Sequence, residues 1–335
     1  MPDEALASLL GKAFAAREPS FDAGHRSALR LFNGFYEGCP GLAVDLYART
    51  LVLHDYTGTP GQGLQRVREA EAFFREHLPW LGAALVKTRN SPDPAERRGR
   101  LLFGAPDDRV LENGVWYALD LRLNRDLSLY LDTRELRRWA AQNLGGKSVL
   151  NTFAYTGSLG VAALAGGARR VVQLDRSRTF LELAKKSYAL NDFPFHEQDF
   201  LAADFFAAVG RLKRAGERFD CIIVDPPFFS AGTGGTVDLN RDSTRLLNKV
   251  RPLIDDGGLL VAINNALYIS GGEYLAALEV LCADGYLKVR ERIPVPEDFT
   301  GYPGTRVGVP ITDPAPFNHS TKIAVLDVRR KRESP

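Results

Sequence analysis

From about residue 118 the chain alternates apolar runs with amphipathic stretches in a strand–helix rhythm. SVLNTF (148–153) reads as a strand, and SLGVAALAGG after it as a short helix. RVVQLD (170–175) is the next strand, and Ser177 to Asn191 the next helix. A weaker strand lies near Phe200 to Asp204. FDCIIVD (219–225) is apolar without alternation, the mark of a strand covered on both faces. A helix near 239–254, the strand GLLVAIN (258–264) and a helix from about Gly272 to Ala283 follow. YLKVRERI and TKIAVLDVRR are late strands. The last of them follows a proline-rich loop, 294–316, and not a helix, which predicts antiparallel pairing at or near a sheet edge. Strands alternating with helices predict an α/β fold with a doubly wound, mostly parallel sheet.

The first 110 residues follow a different pattern. RLFNG, LAVDLYARTLVLHDYTG, a helix near 63–77 and AALVKTR predict a small α+β domain, and residues 1–18 an amphipathic helix. SPDPAERRGR (91–100) is a polar loop. ENGVWYALDLRLN (112–124) alternates and predicts a hairpin that leads into the second domain. The expected division is therefore 1–110 and 111–335.

Composition narrows the function classes. Hydrophobic residues make up 45% and charged residues 25%, as in ordinary globular chains. No apolar run is long enough to cross a bilayer, and the N-terminus lacks a signal-peptide layout. Three scattered cysteines (Cys39, Cys221, Cys282) suggest neither a disulfide framework nor a zinc site. No metal is expected, and a reducing, cytoplasmic location fits. A net charge of +2 does not advertise nucleic-acid binding. Local basic clusters exist at 97–100, at Arg137 and Arg138, and at 329–332.

In such sheets ligands bind outside the carboxyl ends of the strands. NTFAYTGSLG (151–160) follows the first of them, with Asn151, Phe153, Tyr155, Thr156 and one turn glycine, Gly157. It is not the glycine-rich fingerprint that a pyrophosphate needs. A ligand without phosphate fits better. Asp175 ends the second strand, where a carboxylate can accept from ribose hydroxyls; it could equally be a local cap, and Ser177 could cap the next helix. Asp204, or less readily Asp199, is placed to accept from an adenine amino group. CIIVDPPFFSAG (221–232) stops a buried strand with Asp225. Pro226 and Pro227 fix φ and lack donors, so the adjacent carbonyls are held in place. Asp225 and the Pro226 carbonyl make a pair of acceptors, and Phe228 or Phe229 a face for stacking a planar base. Asn264 and Asn265 can both give and accept hydrogen bonds to a base edge.

Together these residues resemble the class I S-adenosylmethionine-dependent methyltransferases. More closely, they resemble the bacterial large-subunit rRNA methyltransferases that modify cytosine C5 or guanine N7. LFNGFYEGCPGLAVDLYARTLVLHDY (31–56) resembles that family's central domain, LSLYLDTRELRRW (127–139) its cofactor-covering segment, and VLNTFAYTGSLGVAALAGGARRVVQLDRS (149–177) its cofactor loop. The resemblance implies a Rossmann-like methyltransferase sheet, S-adenosylmethionine as cofactor and RNA, by family rRNA, as partner. It places Tyr130, Arg134, Asn151, Phe153, Tyr155, Thr156, Gly157, Asp175, Arg176, Ser177, Asp204 and Asp225 at the cofactor. It makes Asp225, Pro226, Phe228 and Asn264 catalytic. A homodimer is one assembly compatible with the chain. Only some 25 residues precede the central segment, so the PUA module that often opens the family is not expected.

C5-type members carry cysteines just after the strand equivalent to 258–264. AINNALYIS (262–270) has none. DPPFFS and INN are closer to the DPPTFS and SNN of the guanine-N7 members. The expected reaction is therefore direct transfer to a base nitrogen. Three rivals stand beside it: a small-molecule or protein methyltransferase on the same fold, a nicotinamide dehydrogenase, disfavoured by the missing glycine fingerprint, and a non-catalytic RNA-binding relative.

Overall fold

The protein is described by a computed structural model covering residues 5–57, 61, 63–232, 235–308 and 314–330. The chain forms two compact units, Met1–Asp132 with Pro296–Pro310, and Thr133–Val295 with Ile311–Pro335. The first unit thus runs past residue 110 and takes in a distant piece of chain.

In the first unit five strands line up in chain order: β1 (Ala28–Asn33), β2 (Leu42–Tyr47), β3 (Thr50–Asp55), β4 (Ala83–Thr88) and β5 (Arg100–Gly104). Pairing is antiparallel except between β3 and β4, which helix Leu64–His77 connects as a parallel crossover. Leu31, Val44, Leu51, Leu53, Val67, Phe74 and Val86 form its core. A polar cluster is buried beside it. Arg30 donates from Nε and Nη2 to Asp45 at 2.7 and 3.0 Å, and His54 Nε2 lies 2.9 Å from the same carboxylate. Burial pushes His54 down to about 4, while Arg30 and His54 hold the equally buried Asp45 below the usual carboxylate range.

The hairpin expected over 112–124 sits earlier. It pairs β6 (Arg109–Glu112) with β7 (Val115–Ala118). Asn113 and Gly114 turn it with φ of 52° and 79°. Positive φ at both central residues is what a two-residue hairpin loop demands, and Asn-Gly supplies it. The strand alternation alone did not locate that turn.

The second unit holds a seven-stranded sheet, built from β8 (Ser148–Thr152), β9 (Arg170–Asp175), β10 (Phe200–Ala202), β11 (Phe219–Val224), β14 (Ile254–Asn264), β15 (Leu287–Ile293) and β16 (Lys322–Val328). Their spatial order is β10-β9-β8-β11-β14-β16-β15. The first five are parallel; β16 runs antiparallel between β14 and the edge strand β15. The remaining two strands, β12 (Phe229–Gly232) and β13 (Gly235–Asp238), form a separate hairpin that the sequence reading passed over. In β11, Ile222 and Val224 join one core cluster, and Cys221 and Ile223 the other. That two-sided burial explains why its sequence does not alternate. Strand order reverses between β8 and β11, which opens a crevice at their carboxyl ends.

Candidate functional site at the mouth of the second sheet

Three residues in the loop after β8 adopt left-handed backbone: Phe153 (φ 54°), Tyr155 (53°) and Gly157 (75°). For a residue with a side chain this costs roughly 1–2 kcal/mol. Two such residues in one turn mean that the surroundings impose its shape. Phe153 stacks on Phe205 with ring centroids 4.7 Å apart, and Tyr155 meets Phe180 edge-on at 4.5 Å. Backbone bonds also hold the loop: Ala154 N donates to Leu174 O at 2.9 Å, and Tyr155 N to Asp175 Oδ2 at 2.9 Å.

A buried amide relay lies beneath it. Asn151 Nδ2 donates to Gln173 Oε1 at 2.9 Å, and Gln173 Nε2 donates to the Gly157 carbonyl at 3.1 Å. A Cβ on Gly157 would come within 2.6 Å of the Ala184 methyl, and one on Gly160 within 2.2 Å of Gln173. The close approach at Gly157 is thus made by the protein's own packing. Asn151 is buried, and its Oδ1 has no partner. Gln173 was not singled out from the sequence, although a lone amide inside RVVQLD was its signal.

Asp175 accepts from Ser177 N at 2.8 Å as well as from Tyr155 N, and the Arg176 amide also favours its charged form. Burial outweighs these bonds and raises its pKa above 3.8. Three amides draw on a carboxylate with about four lone-pair directions. Asp175 therefore braces the loop, and about one direction is left for a ligand. Arg176 is exposed, and Thr156 is buried in the loop. Ser177 caps helix Arg178–Leu190, its hydroxyl accepting from Phe180 N at 3.4 Å. Asp204 caps helix Phe205–Arg214, its Oδ1 accepting from Phe206 N and Ala207 N at 3.0 and 3.2 Å. Asp199 instead pairs with Arg170 at 2.9 Å.

On the other side of the crevice, β11 ends at Val224. Asp225 follows half-buried, Pro226 is buried, and Phe228 and Phe229 are 40% and 60% exposed. Phe229 opens the β12–β13 hairpin, so the elbow turns outward into a hairpin before the next helix, Leu239–Val250. The Pro226 carbonyl is not free of partners: Asn265 Nδ2 donates to it at 3.4 Å. Asn264 is fully buried, and its Oδ1 accepts from Ala266 N at 2.9 Å. Asn264 Nδ2 and Asn265 Oδ1 are left buried with no partner. Lys322, opposite Asn264 in the β14–β16 register, ties down the same loop. Its Nζ donates to the carbonyls of Ala266, Ile269 and Ser320 at 2.9, 2.8 and 2.6 Å. Burial pulls Lys322 down to about 8. The sequence reading missed it because a single lysine leading an apolar strand looks like an edge residue.

Arg137, one of the basic pair at 137 and 138, is 1% exposed and donates to Thr133 Oγ1 at 2.9 Å. Its helix, Arg134–Asn143, begins at Arg134 and turns that side chain inward. Tyr130 belongs to the first unit, where it is 41% exposed. Cys221 is fully buried, and burial pushes its thiol up to about 12; Cys282 is half-buried and also raised. No group of metal-ligating side chains occurs among the described residues, nor any helix long and apolar enough to cross a membrane.

Comparison with known proteins agrees with this arrangement. Residues 80–305 match the family described as S-adenosylmethionine-dependent methyltransferase. Ribosomal RNA large subunit methyltransferase I of Aeromonas salmonicida is 29% identical over 248 residues, which cover 73% of this chain and 63% of that one. The chain thus spans just under two thirds of that relative's length. A putative ribosomal RNA large subunit methyltransferase, YwbD of Bacillus subtilis, is 27% identical over 304 residues, covering 88% and 74%. Among solved structures, SMU.776, a putative methyltransferase complexed with SAH, superposes with a TM-score of 0.80 at 23% identity, covering 96% and 81%. The match over 80–305 and the crevice between β8 and β11 lead to one conclusion: the chain belongs to the S-adenosylmethionine-dependent methyltransferase family.

Proposed function

We propose that the chain methylates a base nitrogen of RNA, in rRNA by analogy with the names of its relatives, by direct transfer and without a covalent cysteine. The observation that carries the chemistry is Cys221: it is the cysteine nearest the Asp225 elbow in sequence, and it is buried in the sheet with its thiol pushed up to about 12. A nucleophilic cysteine needs the opposite, an accessible site that favours the thiolate. A ring nitrogen or exocyclic amine carries its own lone pair and needs only orientation and desolvation.

The residues present suit the cofactor. The β8 loop offers aromatic and hydroxyl side chains where a dinucleotide site would offer bare glycine amides, and Asp175 keeps an acceptor direction for a ribose hydroxyl. In this reading Asn151, Phe153, Tyr155, Thr156, Gly157, Arg176 and Ser177 shape that pocket. Asp204 contributes through Oδ2, since the helix cap takes Oδ1. Tyr130 and Arg134 keep the covering role implied by the resemblance. When bound, S-adenosylmethionine supplies an electrophilic methyl carbon.

The chain's own residues then act on the acceptor. Asp225 holds the base through an N–H, and Phe228 or Phe229 stacks on its face. Asn265 sets the Pro226 carbonyl, so that carbonyl positions the elbow as well as the base. Asn264 Nδ2, buried and unpaired, is a donor in reserve for the base edge. The RNA is the partner in this account, the cytoplasm its setting, and self-association is not required. Labelled methyl donor supplied to the fractionated RNA, protein and metabolites of a cell lacking the gene tests the reading. Label in RNA supports it; label confined to protein or metabolites refutes it.

A further inference from the structure

The end of β4 in the first unit gathers aromatic and basic side chains that the methyl-transfer chemistry does not use. Phe35 is 53% exposed, and its ring meets Tyr56 edge-on with centroids 4.9 Å apart. The Arg89 guanidinium lies 5.7 Å from the Tyr56 ring centroid on the ring's face. Arg89 also pairs with Asp126 at 2.6 Å and donates to the Arg125 carbonyl. Lys87 Nζ donates to the Asn124 carbonyl at 2.8 Å from beneath. These bonds pin the 122–126 loop, from which Arg122 and Arg125 project exposed. On the other side, exposed Arg66 reaches the backbone beside Thr57, its Nη1 within 2.9 Å of where a Gly41 Cβ would stand. The side chains of Arg66, Arg122 and Arg125 have no ion-pair partner among the described residues; of the nearby acids, Asp126 is taken by Arg89, and Asp120 Oδ1 accepts from the Arg122 amide.

We propose that this surface docks an unpaired stretch of the RNA substrate, one base stacking on Phe35 and the backbone phosphates lying on Arg66, Arg122 and Arg125. The proposal rests on the RNA reading above. An exposed ring held by its neighbours, with unpaired guanidinium groups around it, is the pairing of stacking face and cations that single strands bind. A duplex keeps its bases stacked inside and offers Phe35 nothing to stack on. An acidic peptide would satisfy the arginines but would make no use of the exposed ring.

The test is equilibrium binding of the full chain to a labelled single-stranded RNA of mixed sequence and to its duplex, across a salt series. Phe35→Ala and the double variant Arg122→Gln with Arg125→Gln are compared with the parent. S-adenosylmethionine affinity is measured in parallel to show that each variant is folded. The expected result is single-strand binding weakened about tenfold by Phe35→Ala. The double variant should lower the slope of log K on log salt by about 1.4. Both variants should keep their affinity for the methyl donor. If the parent binds and methylates RNA while both variants bind it as tightly with unchanged slope, the surface is wrong and the RNA reading stands. If the parent neither binds nor methylates RNA, both fall.

Discussion

Asp175 accepts the amide hydrogen of Tyr155, a residue twenty positions earlier in the chain, at 2.9 Å. With the bond from Ala154 N to Leu174 O, it joins the end of β9 to the loop after β8, where Tyr155 has left-handed backbone. The residue that the sequence marks as a ligand contact is therefore also the brace of the neighbouring loop. Asp175→Ala should remove both jobs. We expect S-adenosylmethionine affinity to fall by more than tenfold in calorimetric titration and stability to fall by about 1–3 kcal/mol. Asp175→Asn, which keeps one acceptor oxygen, should fall between the two.

Asp225 sits on the far side of the crevice, and its predicted job is different. Asp225→Ala should abolish methyl transfer while leaving donor affinity within a few-fold. Loss of donor binding in that variant would move Asp225 to the cofactor side of the site.

The proposed direct transfer makes a prediction about thiols. Cys221→Ala should keep turnover close to that of the parent. It removes a buried sulfur, so a stability loss of about 1–2 kcal/mol in chemical denaturation is expected. Loss of turnover with an intact fold would mean that a cysteine takes part after all.

Lys322 donates to three carbonyls around the loop that carries Asn264 and Asn265. Lys322→Met should leave those carbonyls unpaired and loosen the loop. The expected signature is a fall of about tenfold or more in kcat with donor affinity little changed, because the proposed function puts the loop on the acceptor side. Equal losses of kcat and donor affinity would indicate a general effect on the fold.

His54 gives the first unit a pH dependence. Its pKa is about 4 in the folded chain against 6.5 as the ordinary value. A depressed folded pKa means that the unfolded chain takes up the proton first as pH falls. The stability contribution is thus complete above 6.5 and is lost progressively down to about 4. The full loss amounts to about 3 kcal/mol. His54→Gln should flatten that part of the profile in denaturant titrations between pH 7 and 4.

Where the candidate residues lie along the strands was legible before the fold was known, for a physical reason. In a doubly wound sheet, ligand contacts sit just past the strand ends, and apolar runs mark those ends clearly. Asp175, Asp225 and Asn264 were singled out in this way, and each lies at or just past a strand end. What was not legible depends on packing across strands. Gln173 reaches the Gly157 carbonyl and Lys322 those of Ala266 and Ile269, far away in sequence, so neither forms a local motif. The direction of Arg137 depends on the helix face that the core claims, and a basic pair reads the same either way round. The β12–β13 hairpin lies in a stretch whose prolines and glycines read as loop, and the Asn113–Gly114 turn was overlooked although its dipeptide is the usual hairpin signal.

The most direct measurement of the central claim is the identity of the methylated nucleoside. Tritiated S-adenosylmethionine, total RNA from a strain lacking the gene and the purified chain would be incubated together, and the labelled nucleoside resolved by mass spectrometry. The account predicts a methyl group on a base nitrogen, absent with the Asp225→Ala variant. Label recovered as 5-methylcytosine would contradict it.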